Sequence, residues 1–151
     1  MRVLHVNTFD TGGAAIAAIR LHKSLLDQGV DSSLVTLYKS RNDIPFHYQF
    51  PQRALSVPPV RFWNRIINRL RGIETNPNKI WDTVKQSQLA FKKDLSENFE
   101  YFSFNETPHR LEEWSLFGEF DVINLHWVAD FINWPTFFSK TNNKKIVWTL
   151  H

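Results

Sequence analysis

The first 38 residues constrain the fold more than any other part of the chain. In MRVLHVNTFDTGGAAIAAIRLHKSLLDQGVDSSLVTLY a short apolar run, RVLHV, breaks at a Gly-Gly pair, continues as an alanine-rich helical pattern and resumes after Gly29 as a second apolar run, DSSLVTLY. The helical stretch puts Ala15, Ala18, Ile19, Leu25 and Leu26 on one face and Arg20, Lys23, Ser24 and Asp27 on the other, with Gly29 as its C-terminal stop. Two strands joined through a helix lie parallel, and their crossover is right-handed. Residues 2–37 therefore predict a βαβ unit.

Two further apolar runs, FDVINLHW and KKIVWTLH, have the composition of buried parallel strands, and WPTFFSK between them reads as a short helix. The expected fold class is α/β, a Rossmann-like open parallel sheet. Residues 39–118 are rich in Pro, aromatics and Arg and read as an insertion. It carries two expected helices, 59–71 and 79–95, the second with Ile80, Val84, Phe91 and Leu95 along one face, and a short strand in NFEYFSFN. The chain closes on His151 directly after a strand, which predicts one incomplete N-terminal domain over residues 1–151, with a further domain expected beyond it.

No apolar run approaches the roughly 20 residues that cross a bilayer, and MRVLHV lacks the apolar core of a signal peptide, so a cytoplasmic location is expected. Absence of cysteine excludes disulfides and thiolate metal sites. The net charge of +3 is unevenly spread: residues 51–72 hold five arginines and no acid. Within this segment Arg61, Arg65 and Arg69 recur at helical spacing opposite Phe62, Trp63, Ile66, Ile67 and Leu70. Such a face either meets anionic lipid headgroups or a lipid-linked diphosphate, or is an ordinary solvated surface. No recognised nucleic-acid motif accompanies it, so nucleic acid is not expected as a partner.

Ligands of open α/β sheets collect at the carboxyl ends of the strands. Three positions meet that condition: the loop around Gly12 and Gly13, His126 with Trp127, and His151. Glycine at a helix start costs about 1 kcal/mol relative to alanine, so the pair needs a reason. One reason is a tight turn; the other is backbone amides left bare for an anionic phosphate. Asp10 or Thr11 would cap the helix or stand at the cleft edge. An imidazole at His126 suits a sugar hydroxyl or a phosphate oxygen, or it is satisfied by a neighbouring carbonyl. His22 and His5 are expected to be structural, and His47 and His109 lack metal-ligand spacing.

Taken in order, MRVLHVNTFDTGGAAIAAIRLHKSLLDQGVDS, FDVINLHWVADFINWPTFF and the terminal KKIVWTLH resemble the N-terminal domain of retaining GT-B glycosyltransferases of family four, above all bacterial enzymes of exopolysaccharide, capsule and O-antigen assembly. The resemblance implies an acceptor-side domain that takes a saccharide or lipid-linked acceptor. The nucleotide-sugar donor would be held by a C-terminal domain absent here, without an obligatory metal. By position, Gly12 and Gly13 correspond to a loop near the donor diphosphate, and His126 to a histidine facing the transferred sugar, with Asp10, Thr11, Trp127 and His151 at the cleft edge. Arg61, Arg65 and Arg69 would then serve a peripheral contact with the inner face of the cell membrane. On this reading the chain alone is expected to be inactive, because the groups that stabilise the leaving diphosphate lie elsewhere. From the residues alone, a non-catalytic α/β binding module remains the alternative.

Overall fold

The computed structural model describes residues 1–51, 72, 77–93 and 103–150. The expected βαβ unit is present: β1 spans Arg2–Phe9, α1 Gly13–Asp27 and β2 Asp31–Tyr38. Helix α1 ends in a Schellman motif, where Gly29 at φ +75° lets its own amide reach Leu26 O (2.9 Å) and that of Val30 reach Leu25 O (2.9 Å). Three shorter strands, β3 (His47–Gln49), β4 (Val122–Leu125) and β5 (Lys145–Trp148), complete the sheet. It is five-stranded and wholly parallel, in the order β3-β2-β1-β4-β5. This is a Rossmann-like open α/β sheet, and no helix among the described residues is long and apolar enough to cross a membrane.

The two sheet faces differ in chemistry because alternate strand residues point to opposite sides. Leu4, Val6, Val35, Leu37, Ile123 and Leu125 pack on one side with Leu111, Phe117, Phe131 and Phe137. That layer is closed by the 3-10 turns Leu111–Glu113 and Phe117–Glu119 and by helix α3 (Trp134–Lys140), whose N-cap Asn133 accepts a bond from the Thr136 amide. The other side carries α1 and is mostly polar. Ala15 and Ile19 form a small apolar cluster with Leu34 and Ile44, while His5, Asn7, Ser32, Thr36, His47 and Asn124 are all buried on this side.

Chain segments Met1–Gln52 and Ser103–His151 form one compact unit and Arg53–Phe102 a second. The expected insertion at 39–118 is therefore too wide. Residues 39–51 supply β3 and the buried Ile44 and Phe50 to the sheet unit, and 103–118 supply the buried Thr107, Leu111 and Phe117. Aromatic and proline content marks these flanks as foreign, although Phe50, Leu111 and Phe117 belong to the main core and Ile44 to the cluster under α1. In the second unit the described helix is α2, Pro77–Lys93, on which Val84 is half-buried and Phe91 exposed. The helix forms as expected; its apolar stripe is not wholly covered. Residues 103–105 form no strand, and the rest of NFEYFSFN, together with the 59–71 segment, lies outside the described residues.

Candidate functional site

The order of strands reverses at β1, with β2 on one side of it and β4 on the other, so the crevice of this fold opens at the carboxyl ends of β1 and β4. Both expected motifs lie there. The loop after β1 holds Gly12 and Gly13, and the residues after β4 are His126 and Trp127. Three hydrogen bonds tie these ends together: Thr8 N–H to Trp127 O (2.7 Å), Trp127 N–H to Asn7 Oδ1 (2.7 Å) and Thr8 Oγ1 to Ala129 O (2.7 Å).

Each glycine of the pair has its own reason. Gly12 is the N-cap of α1 at φ +90°, ψ 174°, a conformation nearly exclusive to glycine. Gly13 has no such constraint, and a Cβ built on it meets nothing within 4 Å. No side chain caps the helix, and its first turn contains no acid. The amides at the start of α1 thus lack intrahelical partners by geometry and side-chain partners by sequence, on a stretch where Thr11, Gly12 and Gly13 are all exposed. Gly12→Ala is expected to cost about 1–3 kcal/mol through backbone strain. Gly13→Ala should be neutral or stabilising by up to about 1 kcal/mol, because the helix gains a better former. Urea unfolding of the two variants checks the contrast.

Asp10 is neither cap nor cleft-edge group. It is 2% exposed and accepts from Ser40 N–H (2.6 Å), Ser40 Oγ (2.6 Å) and Arg41 N–H (2.7 Å), pinning the loop after β1 to the loop after β2. Burial alone would raise its pKa, but the Ser40 hydroxyl and the Arg41 and Ser40 amides hold it below the usual carboxylate value. Thr11 is exposed and does not cap α1 either, since the positive φ at Gly12 turns the chain away from capping geometry.

His126 is 3% exposed, with its Nε2 3.1 Å from Nδ1 of His5. Asn124 Nδ2 also approaches His5 Nδ1 (3.4 Å), while Asn124 Oδ1 accepts from Thr149 Oγ1 (2.9 Å). The amide orientation makes His5 Nδ1 an acceptor, which places the His5 proton on Nε2, a buried atom with no hydrogen-bond partner. Burial, then the neighbouring His126 and His22, push the His5 pKa down to about 3. His22 is the expected structural histidine: Nε2–H donates to Pro45 O (2.8 Å) and Nδ1 accepts from Ser32 Oγ (2.8 Å). His47 pairs through Nε2 with Thr36 Oγ1 (2.8 Å). Pairing of His5 with His126 could not be read from the sequence, since it needs the β1–β4 register that sets His5 opposite Asn124.

Trp127 stands 40% exposed at the carboxyl end of β4. Phe9 and Tyr38 also stand at this edge of the sheet, a place that follows from the ends of the two predicted strands. Among the described residues no group of three or more His, Asp or Glu side chains could hold a metal ion. His151, Arg61, Arg65 and Arg69 lie outside the described residues. Compared with family models, with curated proteins and with solved structures, the chain matches none.

Proposed function

We propose that this chain is the acceptor-side half of a retaining glycosyltransferase. The reaction would break the bond between a sugar's anomeric carbon and a nucleoside diphosphate and form one to a hydroxyl of a saccharide or lipid-linked acceptor. The hydroxyl proton is released, and the nucleoside diphosphate leaves. The observation that carries the reading is the start of α1, uncapped, exposed and without an acid, with open space above Gly13 at the switch point of the sheet. Backbone amides converging there at the positive end of a helix dipole favour the diphosphate end of such a donor. The order of the TGG, NLHW and TLH motifs supports the same assignment.

Titration of the isotope-labelled chain with inorganic pyrophosphate tests the anion site. Amide resonances of Gly12, Gly13, Ala14 and Ala15 should shift, and Gly13→Val, which meets no protein atom near its Cβ, should fold normally and lose the response. In a polypeptide that also carries a donor-binding domain, the same variant should abolish sugar transfer. An unchanged response in folded Gly13→Val removes the anion site.

Burial of His126 against His5 favours a second reading, a non-catalytic α/β module that binds a phosphorylated sugar or polysaccharide. The two readings part on turnover. Sugar transfer by the two-domain polypeptide belongs to the enzyme, and binding without transfer to the module.

A further inference from the structure

Phe9 and Tyr38 are the last residues of β1 and β2 and stand opposite one another in the parallel register. Their rings stack, with centroids 5.2 Å apart and planes within 17°. Both remain open to solvent, Phe9 at 44% and Tyr38 at 50% exposure. An aromatic pair of this kind is ordinarily buried, because each ring offers some 150–250 Å² of surface to a core. Here it is held outward at the ligand edge of the sheet, three residues before Gly12.

We propose that the stacked rings of Phe9 and Tyr38 form a platform for a pyranose ring of a neutral saccharide. The assignment rests on the glycosyltransferase reading and names the chemistry of the acceptor it receives. Rigidity is the first support. Asn7 Nδ2 donates to Phe9 O (2.7 Å), and Asp10 clamps the Ser40 and Arg41 amides just beyond Tyr38, so both strand ends are fixed before any ligand arrives. A preformed surface does not spend binding energy on ordering itself.

Charge supplies the second support. Sites that stack a nucleobase combine the aromatic face with unpaired cations for the phosphate. The two cations that follow Tyr38 in the chain are both engaged: Lys39 Nζ donates to His47 O (2.8 Å), and Arg41 meets Asp43 through both Nε (3.0 Å) and Nη2 (2.6 Å). Asp10 is occupied in the same way by Ser40 and Arg41. What remains is exposed aromatic surface that carries a neutral hydrogen-bonding group of its own, the Tyr38 hydroxyl, with exposed Thr11 two residues after Phe9 in the chain. A pyranose fits that combination, since its C–H face covers the ring while its hydroxyls pair with that of Tyr38.

The test follows the aromatic resonances of the full chain during titration with chitotriose, maltotriose and, separately, uridine monophosphate and inorganic pyrophosphate. Phe9 and Tyr38 ring signals should move with at least one trisaccharide, with a Kd on the order of 1 mM. Phe9→Ala and Tyr38→Ala should each weaken binding by about tenfold or more. Phe46→Ala, at an exposed ring beside the opposite end of β3, should leave it unchanged. Thermal unfolding of each variant establishes that it is folded, and Tyr38→Phe preserves stacking should an alanine variant fail to fold. Ring signals indifferent to both trisaccharides overturn the platform. So does undiminished binding by folded alanine variants, or a response to uridine monophosphate alone. Pyrophosphate shifts at Gly12 to Ala15 with silent rings would remove the platform and leave the anion site standing; the reverse pattern removes the anion site only.

Discussion

Acidification from about pH 7 to pH 5 should destabilise the sheet unit. His5, His22, His47 and His109 all have pKa values lowered from 6.5, in each case first by burial. A lowered folded-state pKa means that the unfolded chain takes up protons first as the pH drops. The stability these groups contribute is complete above 6.5 and is lost progressively below it, for His5 until about 3. Each such histidine contributes a slope of up to about 1.4 kcal/mol per pH unit. For His5, with its value near 3, that slope runs through the whole interval from pH 6.5 to 5, a loss of about 2 kcal/mol against a typical total of about 5–15 kcal/mol, and the other three histidines add to it in the same direction. Asp10 does not offset this loss, because its own lowered pKa keeps it ionised throughout the range. Urea midpoints measured at several pH values check the slope, and His5→Gln should reduce it by one histidine's share. Equal midpoints at pH 7 and pH 5 would contradict neutral burial of this cluster.

Replacing Asp10 by alanine should cost about 3 kcal/mol. Three hydrogen bonds to a buried carboxylate are lost together, and the amides of Ser40 and Arg41 are left without their acceptor. Hydrogen bonds to charged groups contribute about 1.5–3 kcal/mol each, and their losses overlap when one group serves several donors. Asp10→Asn keeps one acceptor oxygen and should recover about half of the loss. Chemical denaturation at neutral pH reads both values. Hydrogen exchange should show the Ser40 and Arg41 amides losing protection in Asp10→Ala even under native conditions, and retention of that protection would place the clamp elsewhere.

Sequence pattern located the βαβ unit, the short helix over Trp134–Lys140 and the two later strands because each is a local feature: a period, a cap or an apolar run. It also put the glycine pair and His126 at the ligand edge, since position at a strand end follows once the strand is known. What stayed hidden depends on partners distant in sequence. Asp10 read as a helix cap because capping is the nearest use for an acid before a helix, whereas its actual donors lie thirty residues on. The His5–His126 contact spans 121 residues, and the Phe9–Tyr38 stack exists only in the register of β1 with β2. The insertion was drawn too wide for the same reason: β3 has three residues, too few for a periodicity, and is recruited by the edge of β2.

His22 gives α1 a fixed heading. The helix faces the sheet mainly with Ala15, Ala18 and Ile19, side chains too small or too smooth to resist rotation about the helix axis. Directional bonds do resist it, and His22 makes two, one to Ser32 on β2 and one to Pro45 in the loop before β3. Because a helix is stiff along its length, fixing this ring fixes the direction in which the amides near Gly13 point, some nine residues away. A histidine with no part in ligand contact therefore works as a sight for the helix start, and aim rather than burial is what it adds beyond a leucine of similar size.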